Sequence, residues 1–277
     1  MNDMQGWIGR SRVVTDSFTA PAVRRIRALL DLPPDPVPDS LPAHWQAMFF
    51  PDIAPQSGLG PDGHPRKGEF LPPIPLPRRM FAGRRARFLA PLPLGAEATR
   101  TTTIAAITEK TGRTGPMVFV TLRHDIAAEG VLLVSEEQDV VYREAVAPGA
   151  ASATAAAQAP PASAAWSDVA TPDQVMLFRY SAITFNGHRI HYDADYVRGE
   201  EGYPALVVNG GLTHLLLAEA AARRGGPLAA FGARNMRPLF CGRAVTLAGD
   251  GDTGAIRLWA VDDAGGLAVD ATAEFAA

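Results

Sequence analysis

Along most of this chain apolar and polar positions alternate with the two-residue period of half-buried strands. Such stretches cover residues 12–18, 84–88, 98–107, 116–126 and 131–142, and later 231–237, 244–249, 255–261 and 267–275. Joined by short turns, they predict antiparallel sheet. Residues 178–185 also read as strand-like. Two segments switch to a helical period. Thr19 is an N-cap with Pro21 in the first turn. Val23, Ile26, Leu29 and Leu30 then share one face of a helix running to about Leu32, where Pro33-Pro34 stops it. Asn209-Gly210-Gly211 opens a second helix, in which Leu212, Leu215, Leu216, Leu217, Ala220 and Ala221 leave little polar surface. Such a helix is expected to be wrapped by a sheet.

Two stretches fit neither period. Residues 33–93 hold 15 of the 24 prolines, too many for a helix or a central strand. Trp45, Met48, Phe49, Phe50, Phe70 and Phe81 punctuate the segment, which predicts an ordered excursion over a surface or a ligand rather than disorder. Residues 145–165 are rich in Ala, Pro and Ser and carry no charge, as in a linker. On either side of it a weak repeat is visible. Pro91-Leu92-Pro93-Leu94-Gly95 and Pro238-Leu239-Phe240-Cys241-Gly242 share Pro-Leu-x-x-Gly between two strands, and each copy is followed by three long strands. A repeat of half the chain implies two copies of one unit. An antiparallel sheet curled around one buried helix, duplicated, is an α+β double hot-dog. The expected division is 1–144, a linker at 145–165, and 166–277, with the excursion replacing the first buried helix at least in part.

Composition narrows the function. The chain has 277 residues, 47% hydrophobic and 20% charged, enough for a substantial core. A net charge of −3 gives no case for nucleic acid or an anionic membrane as partner. Arginine outnumbers lysine 24 to 2, a ratio that genomic codon bias explains. The single cysteine, Cys241, excludes an intramolecular disulfide. Residues 1–12 lack the apolar core of a signal peptide, and no apolar run approaches the ~20 residues that span a bilayer. A cytoplasmic protein is expected.

The densest chemistry lies in Phe185-Asn186-Gly187-His188-Arg189-Ile190-His191-Tyr192-Asp193. Taken by themselves, a histidine and an amide in a loop are more often structural than catalytic, and Asp193 fits a helix cap. His188 divides evenly between a structural and a binding role. Arg189 could hold a substrate carboxylate or face solvent. Arg78, Arg79, Arg84, Arg85 and Arg87 form a basic run that is expected to be a solvated strand face, with ligand phosphates as the alternative. Trp45, Phe49, Phe50, Phe81 and His214 are expected in the core. His44, His64, His124 and His214 show no metal-ligand spacing, and no phosphate or dinucleotide fingerprint is present, so neither metal nor nucleotide cofactor is expected.

The residues resemble a known family. The (R)-specific enoyl-CoA hydratases and MaoC-like dehydratases carry Asp-x-Asn-Pro-(Leu/Ile)-His after a strand. Asn186-Gly187-His188-Arg189-Ile190-His191 has the same spacing. Their second element, (Ile/Val)-Ala-His-Gly-Met-Leu at the start of the hot-dog helix, corresponds to Val207-Val208-Asn209-Gly210-Gly211-Leu212. The first half, including Leu76-Pro77-Arg78-Arg79-Met80, is similar to the branch that contains 3-methylfumaryl-CoA (mesaconyl-C4-CoA) and itaconyl-CoA hydratases. The resemblance implies reversible hydration of a short branched dicarboxylic enoyl-CoA. It casts His191 as the base with Asn186 as its orienting companion, Gly210 and Gly211 as the thioester-binding helix end, and Arg189, His188 and Asn209 as substrate contacts. By analogy a homodimer is expected. Two positions depart from the pattern: the catalytic Asp is Asn186, and the helix-start His is Asn209. A fatty-acid-type 3-hydroxyacyl-thioester dehydratase and a non-catalytic thioester-binding subunit are the alternative readings.

Overall fold

The computed structural model describes residues 4–112, 115–147 and 157–276; residues 148–156, within the stretch read as a linker, lie outside them. The strands are β1 (Ser11–Ser17), β2 (Ser40–Leu41), β3 (Arg78–Phe88), β4 (Leu92–Pro93), β5 (Glu97–Gly112), β6 (Gly115–Ala128), β7 (Val131–Arg143), β8 (Trp166–Ala170), β9 (Leu228–Asn235), β10 (Val245–Gly249), β11 (Ala255–Val261) and β12 (Leu267–Phe275). The helices are α1 (Ala20–Leu29), α2 (Gln174–Thr184), α3 (Ala194–Gly199) and α4 (Gly210–Gly225).

Ten strands form one sheet in the order β1-β5-β6-β7-β3-β9-β12-β11-β10-β8, while β2 and β4 pair separately. All ten are paired antiparallel, as the alternation predicts. The two halves repeat one topology. From either edge inward, the order is first, third, fourth, fifth and second strand of that half, and the halves meet where β3 pairs with β9. Local detail repeats too. Gly95 and Gly242 both take positive φ, and each amide donates to a carbonyl beside the first helix of its half, Phe18 O and Pro172 O. This is the double hot-dog.

The second half encloses α4, which buries Leu212, Thr213, His214, Leu215 and Leu217 on several faces. Its counterpart in the first half is one six-residue 3₁₀ turn, Ala43–Met48, followed by the excursion. That turn is fastened to α4 by buried polar bonds: His44 Nε2 lies 2.8 Å from Glu219 Oε2, and Trp45 Nε1 donates to the same oxygen at 3.1 Å. Trp45, Phe49 and Phe50 are core residues, as expected.

Two expectations are corrected. Residues 178–185 do not extend a strand: 174–184 are helix α2. Asp173 caps it by accepting from Met176 N at 2.8 Å. Leu177 and Tyr180, three apart, are buried, whereas Val175 and Phe178 are exposed, so apolar residues on both faces mask the helical period. The proline-rich stretch is also shorter than 33–93. β3 is a central strand of the sheet, possible because no proline falls between Pro77 and Pro91.

Candidate active site

α2 ends at Phe185, which adopts the left-handed conformation at φ 52, and the chain turns into the loop read as the chemical centre. Asn186 Oδ1 accepts from His188 N at 2.9 Å, an Asx turn that sets the loop's direction. A single 3₁₀ turn, Arg189–His191, then swings the His191 ring into the interior. Its Nδ1 lies 2.7 Å from Val207 O. A carbonyl only accepts, so Nδ1 carries the proton and Nε2 keeps its lone pair. Val207 is held in turn, its amide donating to Ile190 O and its backbone bridged to Phe240. Burial drives the His191 pKa down to about 4, so the ring is a neutral acceptor at neutral pH.

His188 is buried edge-on to His191, ring centroids 5.5 Å apart. On its other side lies His64, centroids 4.1 Å apart. His64 comes from the first half's excursion. Residues 60–64 form a tight turn in which Asp62 commits both carboxylate oxygens to His64: Oδ1 accepts from its amide at 3.1 Å and Oδ2 meets Nδ1 at 2.9 Å. Burial pushes the Asp62 carboxyl up, but those bonds outweigh it and hold the group below the usual carboxylate range. Burial and then the Arg79 charge lower the His64 pKa, against the pull of Asp62. His188 is pushed well below its ordinary value by burial, then by His64, His191 and Arg79. Donor atoms of Asp62, His64 and His188 lie within 4.8 Å of one another. Within this cluster Asp62 and His64 are hydrogen-bonded to each other, and His188 meets His64 by ring contact.

The turn is locked onto the 186–191 loop. Arg189 N donates to Asp62 O at 2.9 Å, and Arg189 Nη1 donates to Pro61 O at 3.0 Å. Gly63 and Gly187 touch so closely that a Cβ on Gly63 would stand 1.9 Å from Gly187 O. Arg189 is therefore a fastener. Its guanidinium also pairs with Asp193 at 2.7 Å and covers the Tyr196 ring. Asp193 caps α3, accepting from Tyr196 N.

Above the imidazoles stands the N-terminus of α4. Its first intrahelical bonds run from Leu212 N and Thr213 N to Asn209 O, so the Gly210 and Gly211 amides precede the hydrogen-bonded ladder. Both glycines are set by packing: a Cβ on Gly210 would lie 2.7 Å from Asn235 Nδ2, and one on Gly211 2.3 Å from the Tyr180 hydroxyl. Asn209 is buried, with Nδ2 reaching Ser181 Oγ at 3.4 Å and Oδ1 without a partner among the described residues.

These groups line one cavity of about 1340 Å³. β6 and β7 line it with Met117, Phe119, Leu122 and Val140, together with Gln138 and Arg143. The basic run on β3 divides by register. Arg78 is buried against Glu201 at 2.6 Å, Arg84 lies 3.7 Å from Glu136, and Arg85 pairs with Glu137 and Asp139 on the surface. Arg79 lines the cavity, and among the described residues no carboxylate stands at ion-pair distance from it. The structure thus brings together Asn186, His188, His191, Asn209, Gly210 and Gly211, and leaves Arg189 at the rim. Asp62, His64 and Arg79 join them. The signal for the first two was a Gly-Pro-Asp-Gly-His-Pro turn inside the ordered excursion.

Comparison with known proteins agrees with this fold. A family profile described as hydroxyacyl-thioester dehydratase type 2 matches residues 44–241. The mesaconyl-C(4)-CoA hydratase of Chloroflexus aurantiacus is 44% identical over 278 residues, spanning 95% of this chain and 99% of that one. A MaoC-like dehydratase structure superposes with a TM-score of 0.71 at 12% identity, covering 99% of this chain and 100% of the other. A double-hotdog protein of Mycobacterium tuberculosis gives a TM-score of 0.60 at 12% identity, covering 96% and 95%.

Proposed function

Because the chain belongs to the hydroxyacyl-thioester dehydratase type 2 family, we propose that it reversibly hydrates a short, branched, dicarboxylic enoyl-CoA. The substrate class follows the similar mesaconyl-C(4)-CoA hydratase: 3-methylfumaryl-CoA, giving citramalyl-CoA, with itaconyl-CoA as a second candidate. The enzyme works on the CoA thioester with no further cofactor, in the cytoplasm and as a homodimer.

Hydration has three requirements. Negative charge that develops on the thioester oxygen must be stabilised, a water must be held and deprotonated as it meets the β carbon, and a proton must reach the α carbon. The Gly210 and Gly211 amides at the positive end of α4 meet the first need. The Nε2 lone pair of His191 accepts a hydrogen bond from the water. Asn186 shapes the loop that presents it, and His188 spaces His191 from His64.

The observation that carries the dicarboxylate reading is Arg79, a cation on the cavity wall whose charge acts on His64 and His188, with no carboxylate at ion-pair distance among the described residues. In 3-methylfumaryl-CoA the free carboxylate sits on the β carbon, so its partner must stand beside the catalytic groups. The charge of Arg79 reaches Asp62, His64 and His188, whereas Arg189 is already matched by Asp193. The apolar side chains that β6 and β7 add to the cavity favour one alternative, a dehydratase for longer 3-hydroxyacyl thioesters. Parallel assays with 3-methylfumaryl-CoA, itaconyl-CoA and a medium-chain 2-enoyl-CoA, read by loss of enoyl-thioester absorbance, decide between them. Turnover of the medium-chain ester alone refutes the dicarboxylate reading.

A further inference from the structure

We propose that the Asp62–His64 pair, supplied by the first half's excursion, is the group that takes the proton from the attacking water and returns it to the α carbon, with His191 orienting that water. The proposal rests on the hydratase reading above. It answers a chemical gap. Proton transfer at an enoyl thioester is served best by an imidazole whose cationic form is balanced by a carboxylate. Asn186 cannot supply that charge, and its carboxamide oxygen is spent on the Asx turn to His188 N.

Among the described residues three imidazoles line the cavity, and of these His64 has a carboxylate partner. His191 Nδ1 is held by the Val207 carbonyl, which fixes the tautomer but carries no charge. His188 lies between two other rings and near Arg79. His64 Nδ1 meets Asp62 Oδ2 at 2.9 Å, which leaves Nε2 as its free acceptor. A proton arriving at His64 makes an imidazolium that faces Asp62, with Asp52 acting on it from farther off. Opposing it are Arg79 on β3 and the neighbouring His188 and His191 rings. A substrate carboxylate on Arg79 would cancel the first of these, so binding the correct substrate makes His64 more basic.

The step balances without another reactant. A water O–H bond breaks and its proton goes to His64 Nε2 while the oxygen bonds to the β carbon. The double-bond electron pair moves onto the α carbon and thioester oxygen as an enolate, held at the end of α4. The His64 N–H then gives its proton to the α carbon and the thioester carbonyl reforms. The position is built for this. Three contacts fix the turn to the catalytic loop: Arg189 N to Asp62 O, Arg189 Nη1 to Pro61 O, and Gly63 against Gly187.

The test compares wild type, His64→Gln, Asp62→Asn and His191→Gln in the full-length protein with 3-methylfumaryl-CoA. Folding is checked by thermal unfolding, and kcat and KM are followed across pH. His64→Gln is expected to lower kcat by ~100-fold or more with KM within a few-fold, in the range of a lost general acid–base group. Asp62→Asn should lower the plateau and move the acid limb of kcat/KM to lower pH, because His64 loses the carboxylate that supports its charged form. A merely structural Asp62 would leave that limb in place. His64→Gly should regain activity with added imidazole, which separates lost chemistry from misfolding. A His64→Gln enzyme within a few-fold of wild-type kcat, an unmoved acid limb, or no imidazole rescue overturns the assignment while the hydratase reading stands. A wild type that hydrates no enoyl-CoA overturns that reading, and the assignment with it.

Discussion

Replacing Gly63 by alanine tests whether the first half's excursion positions the catalytic loop. The added Cβ would sit 1.9 Å from Gly187 O, about 1.5 Å short of ordinary contact at 3.4 Å. The obstacle is backbone, so no side chain can turn aside. Gly63 also holds φ +86, a conformation that costs an alanine roughly 1 kcal/mol. The two loops must therefore part by more than 1 Å at the point where Asp62 and His64 meet His188. A misplacement of that size lowers a rate by ~100-fold. Stability should fall by only ~1–2 kcal/mol, because the turn is outside the main core. Gly187→Ala is the graded control: its Cβ would meet Gly63 O at 2.9 Å, a conflict that a few tenths of an ångström relieve. The assay is kcat/KM with 3-methylfumaryl-CoA beside the unfolding midpoint. Gly63→Ala should lose far more activity than Gly187→Ala at similar stability. Full activity in Gly63→Ala, or equal loss in both, would refute the clamp.

Three further outcomes follow from the same geometry. Arg79→Gln removes a charge-assisted pair worth ~1.5–3 kcal/mol, so kcat/KM for 3-methylfumaryl-CoA should fall about 10- to 150-fold while a monocarboxylic enoyl-CoA is spared; equal losses on both esters would show that Arg79 does not select. His124 and His191 have pKa values lowered by burial to about 4, below the unfolded ~6.5. Between those limits only the unfolded chain takes up the protons, so stability falls as pH falls, by about 2 kcal/mol for each from pH 7 to 5, and the contribution of these two groups is complete below pH 4. A urea midpoint that is flat from pH 7 to 5 would contradict this. Dialysis against EDTA should leave activity unchanged, since Asp62 and His64 satisfy each other; loss of activity restored by a divalent cation would make that cluster a metal centre.

The legible parts of the fold were those with one buried face. β11 and β12 stand where the alternation put them, and the capped helix α1 buries Val23, Ile26 and Leu29 as its period required. α2 was hidden because Val175 and Phe178 are exposed while Leu177 and Tyr180 are buried, which erases the period. β3 was hidden by the prolines on either side of it. In the site, residues 186–191 and 209–211 are compact in sequence and could be read together. Asp62, His64 and Arg79 could not, because only the fold of the excursion and the β3–β7 register bring them to a loop more than a hundred residues away. Arg189 pairs with Asp193, four residues on and so visible in the sequence, while lining the cavity.

The central claim is that one cavity holds the acid–base, thioester-binding and carboxylate-binding groups of a dicarboxylic enoyl-CoA hydratase. Mixing the purified protein with 3-methylfumaryl-CoA and following enoyl-thioester absorbance and product mass tests it directly. The absorbance is expected to fall, with a product heavier by one water. Binding of the ester with neither change would contradict it and leave a thioester-binding subunit without catalysis.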